Sequence, residues 1–142
     1  MEQQNKTIIT VGTIVSAPLT TVWEAWTKPE HIMKWTFASD DWHAPHAENE
    51  LKVAGKFSTT MAAKDGSVSF EFYGTYTDVQ PEKFIAYTMG DGRRAEITFN
   101  EIGDQTEIVE SFEAEETNPI KMQHDGWQSI VDNFKKHTES LT

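Results

Sequence analysis

The sequence predicts an α+β fold: a strongly curved antiparallel sheet of about six or seven strands wrapped around one long C-terminal helix, with two short helices after the first strand. Three observations carry this. From about residue 41 to residue 112 the apolar residues alternate with polar ones, punctuated by turn signals at Lys64-Asp65-Gly66, Asp91-Gly92 and Gly103-Asp104. From Ile120 to Leu141 the apolar residues instead recur at helical spacing, with Trp127 and Phe134 each seven residues after the last. Such a stripe needs an apolar partner, and the apolar face of the sheet is the available one.

The elements follow in order. Ile8 to Val15 mixes β-branched residues and reads as a first strand ending at Ala17-Pro18. Leu19, Val22, Trp23 and Trp26 fall at helical spacing and predict a short amphipathic helix. Thr27-Lys28-Pro29-Glu30 matches a capping box with proline early in a second, two-turn helix carrying Ile32, Met33 and Trp35. In the meander, one parity collects Val53, Gly55, Phe57, Thr59 and Met61, and the next strand collects Val68, Phe70, Phe72, Gly74 and Tyr76. After Pro81-Glu82 the same face continues with Ile85, Tyr87 and Met89, then Ala95, Ile97 and Phe99, then Ile108, Glu110 and Phe112. Asn118 is the expected N-cap of the last helix, with Pro119 in its first position.

Composition bounds the function classes. A chain of 142 residues fits a single domain, 1–142, with one core. Its formal net charge of −11 disfavours nucleic acid and anionic membranes as partners. With no cysteine, disulfides, thiolate metal sites and thiol nucleophiles are excluded, which fits a reducing cytoplasm. The polar start Met1–Lys6 lacks the pattern of a signal peptide, and no apolar run approaches the length of a bilayer span. A cytoplasmic protein is expected.

Several residues point to a pocket between helix and sheet. Glu110 shares its parity with Ile108 and Phe112, so a regular strand aims its carboxylate inward. It is a candidate catalytic base or ligand anchor; alternatively a bulge turns it out, or it pairs with Arg93 or Arg94. Tyr87, the second catalytic candidate, and Tyr76 sit on apolar parities, where a phenol either offers its hydroxyl to a ligand carbonyl or reaches the rim. Phe57 and Phe72 on the sheet, Trp35, and Trp127, Ile130, Val131 and Phe134 on the last helix are the expected apolar wall. Gly55 and Gly74 leave space between them. Trp42 and His43, read as part of a loop before the first meander strand, are placed at the mouth. His43 and His46 with the nearby carboxylates form no metal-ligand spacing, and neither a metal nor another cofactor is expected. Glu113, Glu115 and Glu116 read as a solvated charge run.

The order of elements resembles the helix-grip fold of the START-like (SRPBCC) superfamily. Ala17-Pro18, Val22–Thr27, Pro29-Glu30-His31 and Lys34-Trp35 resemble the opening of the family named for activators of the heat-shock protein 90 ATPase. Leu51–Phe57, Gly74-Thr75-Tyr76, Pro81-Glu82-Lys83 and Gly126-Trp127 follow at matching intervals. The chain has Trp35-Thr36 where the family often shows Trp-Trp, and Ala54-Gly55 where it often shows Gly-Gly. The resemblance implies the fold and a cavity for an apolar or aromatic small molecule. The eukaryotic co-chaperones of the family carry a further N-terminal domain, for which this length leaves no room. Binding of an apolar ligand is therefore the leading expectation, ahead of a cyclase- or lyase-type enzyme using a pocket carboxylate and tyrosine, and of a chaperone-interacting role.

Overall fold

A computed structural model of the chain describes residues 7–141. The element order is β1 (Ile8–Val15), α1 (Leu19–Thr27), α2 (Pro29–Trp35), β2 (Trp42–Asn49), β3 (Lys56–Ala63), β4 (Ser69–Gln80), β5 (Phe84–Met89), β6 (Arg94–Ile102), β7 (Gln105–Glu113) and α3 (Ile120–Glu139). The fold class read from the sequence is the one observed. The polar start read from the sequence, Met1–Lys6, lies outside the described residues.

All seven strands belong to one antiparallel sheet in the order β1-β7-β6-β5-β4-β3-β2. Only β1 is out of sequence: it pairs with β7, while β2 lies at the far edge. The connection from β1 to β2 must therefore cross the whole width of the sheet, and α1 and α2 make that crossing. Register shifts between Tyr76 and Asp78 in β4 and between His43 and His46 in β2 bend the sheet. Pro45 sits within the second shift, on an edge strand where its missing N–H breaks no ladder. α3 lies against β1, α1 and α2. The core beneath it is built from Ile97, Ile108, Phe112, Val22, Val131 and Phe134, each almost completely buried.

Several local expectations need correction. Thr27 caps nothing: its hydroxyl donates back to the Trp23 carbonyl (2.7 Å), and Lys28 is the uncapped N-terminal residue of α2. Proline does stand at the first position of α2, as expected. The N-cap of α3 is Pro119, not Asn118. Order at this helix start comes instead from Gln123, whose amide nitrogen donates to the carbonyls of Asn118 (2.7 Å) and Glu115 (3.1 Å). The segment from Trp42 is strand β2 rather than a loop, because its alternation is hidden by the bulge at Pro45. Val53 lies in the turn before β3 and is exposed, as are the helical stripe's two ends, Ile120 and Leu141. Ala54 adopts φ +69°, a left-handed conformation natural to glycine. No helix among the described residues is long and apolar enough to cross a membrane.

Candidate functional site

Between the concave face of the sheet and α3 lies a cavity of about 400 Å³. Its walls follow from the crossing described above. The sheet contributes Phe57, Thr59 and Met61 of β3, Phe70, Phe72 and Tyr76 of β4, Ile85 and Tyr87 of β5, and Glu110 of β7. α1 and α2 contribute Trp26, Ile32 and Trp35, and α3 contributes Gly126, Trp127 and Ile130. Eight aromatic rings thus face one space, several of them edge-on to a neighbour: Phe57 to Tyr87 at 4.8 Å, and Phe72 to Trp127 at 6.0 Å. Trp127 is itself held by stacking on Phe112, with ring centroids 3.7 Å apart. Trp35 is held by its indole N–H, which donates to the Ala25 carbonyl (2.9 Å).

Glu110 is the buried carboxyl among the residues that line this space. The β7 register is regular, pairing Glu110 with Val11 on one side and Ile97 on the other, so no bulge turns it outward. Only 5% of it is exposed, and its protein partner is the Tyr87 hydroxyl. Burial pushes the Glu110 carboxyl up to about 8, with the Tyr87 hydrogen bond opposing that rise, so the group is a neutral acid at pH 7. Burial, together with the nearby Glu110, likewise raises the Tyr87 phenol well above its ordinary range. The arginines do not pair with Glu110. Arg94 pairs with Glu113 (3.3 Å), and Arg93 binds Asp91 (2.8 Å) and the Glu113 carbonyl (3.0 Å).

The other sequence candidates divide. Trp35, Phe57, Phe72, Tyr76, Tyr87, Glu110, Trp127 and Ile130 line the cavity. Trp42 and His43 do not: on β2, Trp42 packs edge-on against Phe70 outside the cavity. Val131 and Phe134 are wholly buried in the core and do not line the open space. Tyr76 donates its hydroxyl to Asn49 (2.5 Å) and so has none free for a ligand carbonyl, while the Tyr87 hydroxyl lies beside the Glu110 carboxyl. Nor do Gly55 and Gly74 make the space. A Cβ on Gly74 would meet the Thr88 carbonyl at 2.5 Å and the Phe57 ring at 2.8 Å, and one on Gly55 the Glu50 carbonyl at 2.1 Å. Glu113 is buried rather than solvated, and Glu115 accepts from the backbone N–H groups of Thr117 and Asn118 before α3. Among the described residues no group of three or more His, Asp or Glu is placed to hold a metal.

Sequence reasoning missed Trp26, Arg93, Glu115 and Gly126 as lining residues. Gly126 carried a readable signal, because an interior helical glycine is unfavourable by about 1 kcal/mol relative to alanine. Here a Cβ would meet nothing within 4 Å, so the residue opens the helix wall onto the cavity. Gly126→Ala is accordingly expected to raise the unfolding free energy by about 0.5–1 kcal/mol, read from urea denaturation. A decrease would show that the position is crowded.

The family described as activator of Hsp90 ATPase homolog 1-like protein matches residues 16–139. The structure is similar to the solution structure of an AHSA1-like protein from Aeromonas hydrophila, with 37% identity and a TM-score of 0.90 over 95% of this chain and 94% of that one. It is also similar to a Cytophaga hutchinsonii protein, with 53% identity and a TM-score of 0.80 over 94% and 92% of the two chains. A Nitrosomonas europaea protein at 18% identity (TM-score 0.81, covering 94% and 95%) shares the fold. No curated protein matches the chain.

Proposed function

The chain belongs to the family of activator of Hsp90 ATPase homolog 1-like proteins, and from that premise we propose that it binds a small molecule with an apolar or aromatic body in the cavity between sheet and α3. The observation that carries the proposal is the cavity itself: about 400 Å³, walled by aromatic rings, with one buried carboxyl at its interior. That size and lining are those of small-molecule sites, which combine apolar walls with few convergent polar groups. The family's description names a chaperone ATPase; contact with a chaperone is not part of the proposal, which rests on the cavity. The formal net charge of −11 supports the accompanying expectation that neither nucleic acid nor an anionic membrane is the partner.

Native mass spectrometry of freshly purified protein is expected to reveal an adduct of a few hundred daltons. The neutral dye N-phenyl-1-naphthylamine is expected to bind saturably at one equivalent, and Gly126→Trp, which fills the helix wall, to abolish that binding. Dye binding unchanged in a folded Gly126→Trp protein would remove the cavity as the site.

One observation favours a second reading. A carboxyl with its acidity near 8, beside a phenol in a water-poor space, is suited to general acid–base work on a carbonyl compound. Turnover of the co-purifying molecule, lost in Glu110→Gln, would promote the protein from binder to cyclase- or lyase-type enzyme.

A further inference from the structure

The charges around the cavity are unevenly matched. Three carboxylates, Glu48, Glu110 and Glu115, and one guanidinium, Arg93, stand among its lining residues. Arg93 is engaged by Asp91 and by the Glu113 carbonyl, and Glu115 by the start of α3. Glu48 is exposed at the rim, beside His46 (2.8 Å). Glu110 differs from these. It is the buried one, and no basic side chain among the described residues bonds to it. A carboxyl offers about four acceptor sites, of which the Tyr87 hydroxyl fills one.

The surroundings of Glu110 complete the chemistry. Tyr87 of β5 and Tyr76 of β4 stand on the sheet side, with Arg93 at the β5–β6 turn. The helices bring no titratable group to the cavity: α1 and α2 present Trp26, Ile32 and Trp35, and α3 presents Gly126, Trp127 and Ile130. An occupant that supplies positive charge and N–H donors would meet a carboxyl with no basic partner, ready to ionise against it, and the faces of aromatic rings, to which cations are attracted. An anion would meet the Glu48 and Glu115 carboxylates and an arginine already bonded elsewhere.

We propose that the cavity takes an amphipathic amine, its ammonium head seated on the Glu110 carboxylate and its apolar body filling the ring-lined space. The proposal rests on the cavity reading above and deepens it. The proton balance is fixed. Because burial keeps Glu110 protonated up to about pH 8, seating an ammonium ion on it expels the carboxyl proton to solvent. Amine affinity therefore rises about tenfold per pH unit below pH 8 and levels off above it. A neutral ligand of the same shape shows no such slope. The acidic protein surface also favours cations at low ionic strength.

The test uses three shape-matched naphthalenes: 2-naphthylmethylamine, 2-naphthylmethanol and 2-naphthoate. Isothermal titration calorimetry is run from pH 6.5 to 8.5 in two buffers of different ionisation enthalpy, so that proton release is counted on the wild-type protein. The amine is expected to bind at least tenfold more tightly than the alcohol at pH 8 and to release close to one proton at pH 7. Glu110→Gln is expected to keep alcohol binding and to lose both the amine's advantage and its pH slope. Equal binding of amine and alcohol without proton release overturns the amine proposal and leaves the cavity reading standing. Tightest binding by naphthoate overturns it in favour of Arg93 as the anchor. If none of the three binds, the cavity reading falls and this proposal with it.

Discussion

Phe134→Ala is expected to lower the unfolding free energy by about 3–5 kcal/mol, among the largest losses any single substitution in this chain produces. The ring is completely buried and lies edge-on to two tryptophans, Trp26 and Trp35, each with its ring centroid 4.9 Å away. Those tryptophans belong to the crossing helices, so Phe134 packs α3 against both α1 and α2. Trp35 is further fixed to Ala25 by its indole N–H, and the α2 backbone is tied to α3 by Asn133, whose amide donates to the carbonyls of Trp35 (3.3 Å) and Phe37 (3.2 Å). Neighbours tethered in this way cannot collapse into the space left by a lost ring, which places the expected cost toward the upper part of the range. Because Phe134 faces the core and not the cavity, dye affinity in the surviving folded protein should change little. Urea denaturation and dye titration on the same sample check both halves. A loss under about 1.5 kcal/mol would mean that the three rings are not packed as described.

The contrast between Phe134 and Trp127 explains what was legible in the sequence. Both lie on one apolar stripe of α3, and the stripe alone identifies the face turned inward. It does not say where the face meets side chains and where it meets open space. That division depends on the curvature of the sheet, set by register shifts at Tyr76/Asp78 and His43/His46 that break the alternating pattern instead of announcing themselves in it. The same bulge hid β2. Glycines misled for a related reason: at Gly74 the missing side chain is replaced by the Phe57 ring from the neighbouring strand, a cross-strand fact invisible to parity. By contrast β7 keeps strict alternation through Phe112, and there parity alone oriented Glu110 correctly.

Glu110→Gln is expected to stabilise the protein, and by an amount that depends on pH. The folded carboxyl titrates near 8, against an ordinary value of 4.5 in the unfolded chain. Below pH 4.5 both states hold the proton and the group contributes no pH dependence. Between these values the unfolded chain has released its proton while the folded one retains it, so wild-type stability falls as pH rises, by about 1.4 kcal/mol per unit. Above pH 8 both states are ionised and the loss is complete, at roughly 3–5 kcal/mol. Glutamine keeps the shape and can accept the Tyr87 hydrogen bond but carries no such titration. The stability difference between variant and wild type should therefore be small at pH 4.5 and widen steadily to pH 8. Surface carboxylates held below their ordinary range by hydrogen bonds, such as Glu71 and Asp125, act in the opposite sense, but they are common to both proteins and cancel in the difference. Urea denaturation at pH 5, 6.5 and 8 measures it. A difference constant with pH would mean that Glu110 ionises normally in the folded protein and so has a water path or counter-ion of its own. A widening difference would mean that the fold retains at this position a group that lowers its stability under neutral conditions, which is the mark of a residue kept for what it does in the cavity rather than for the fold.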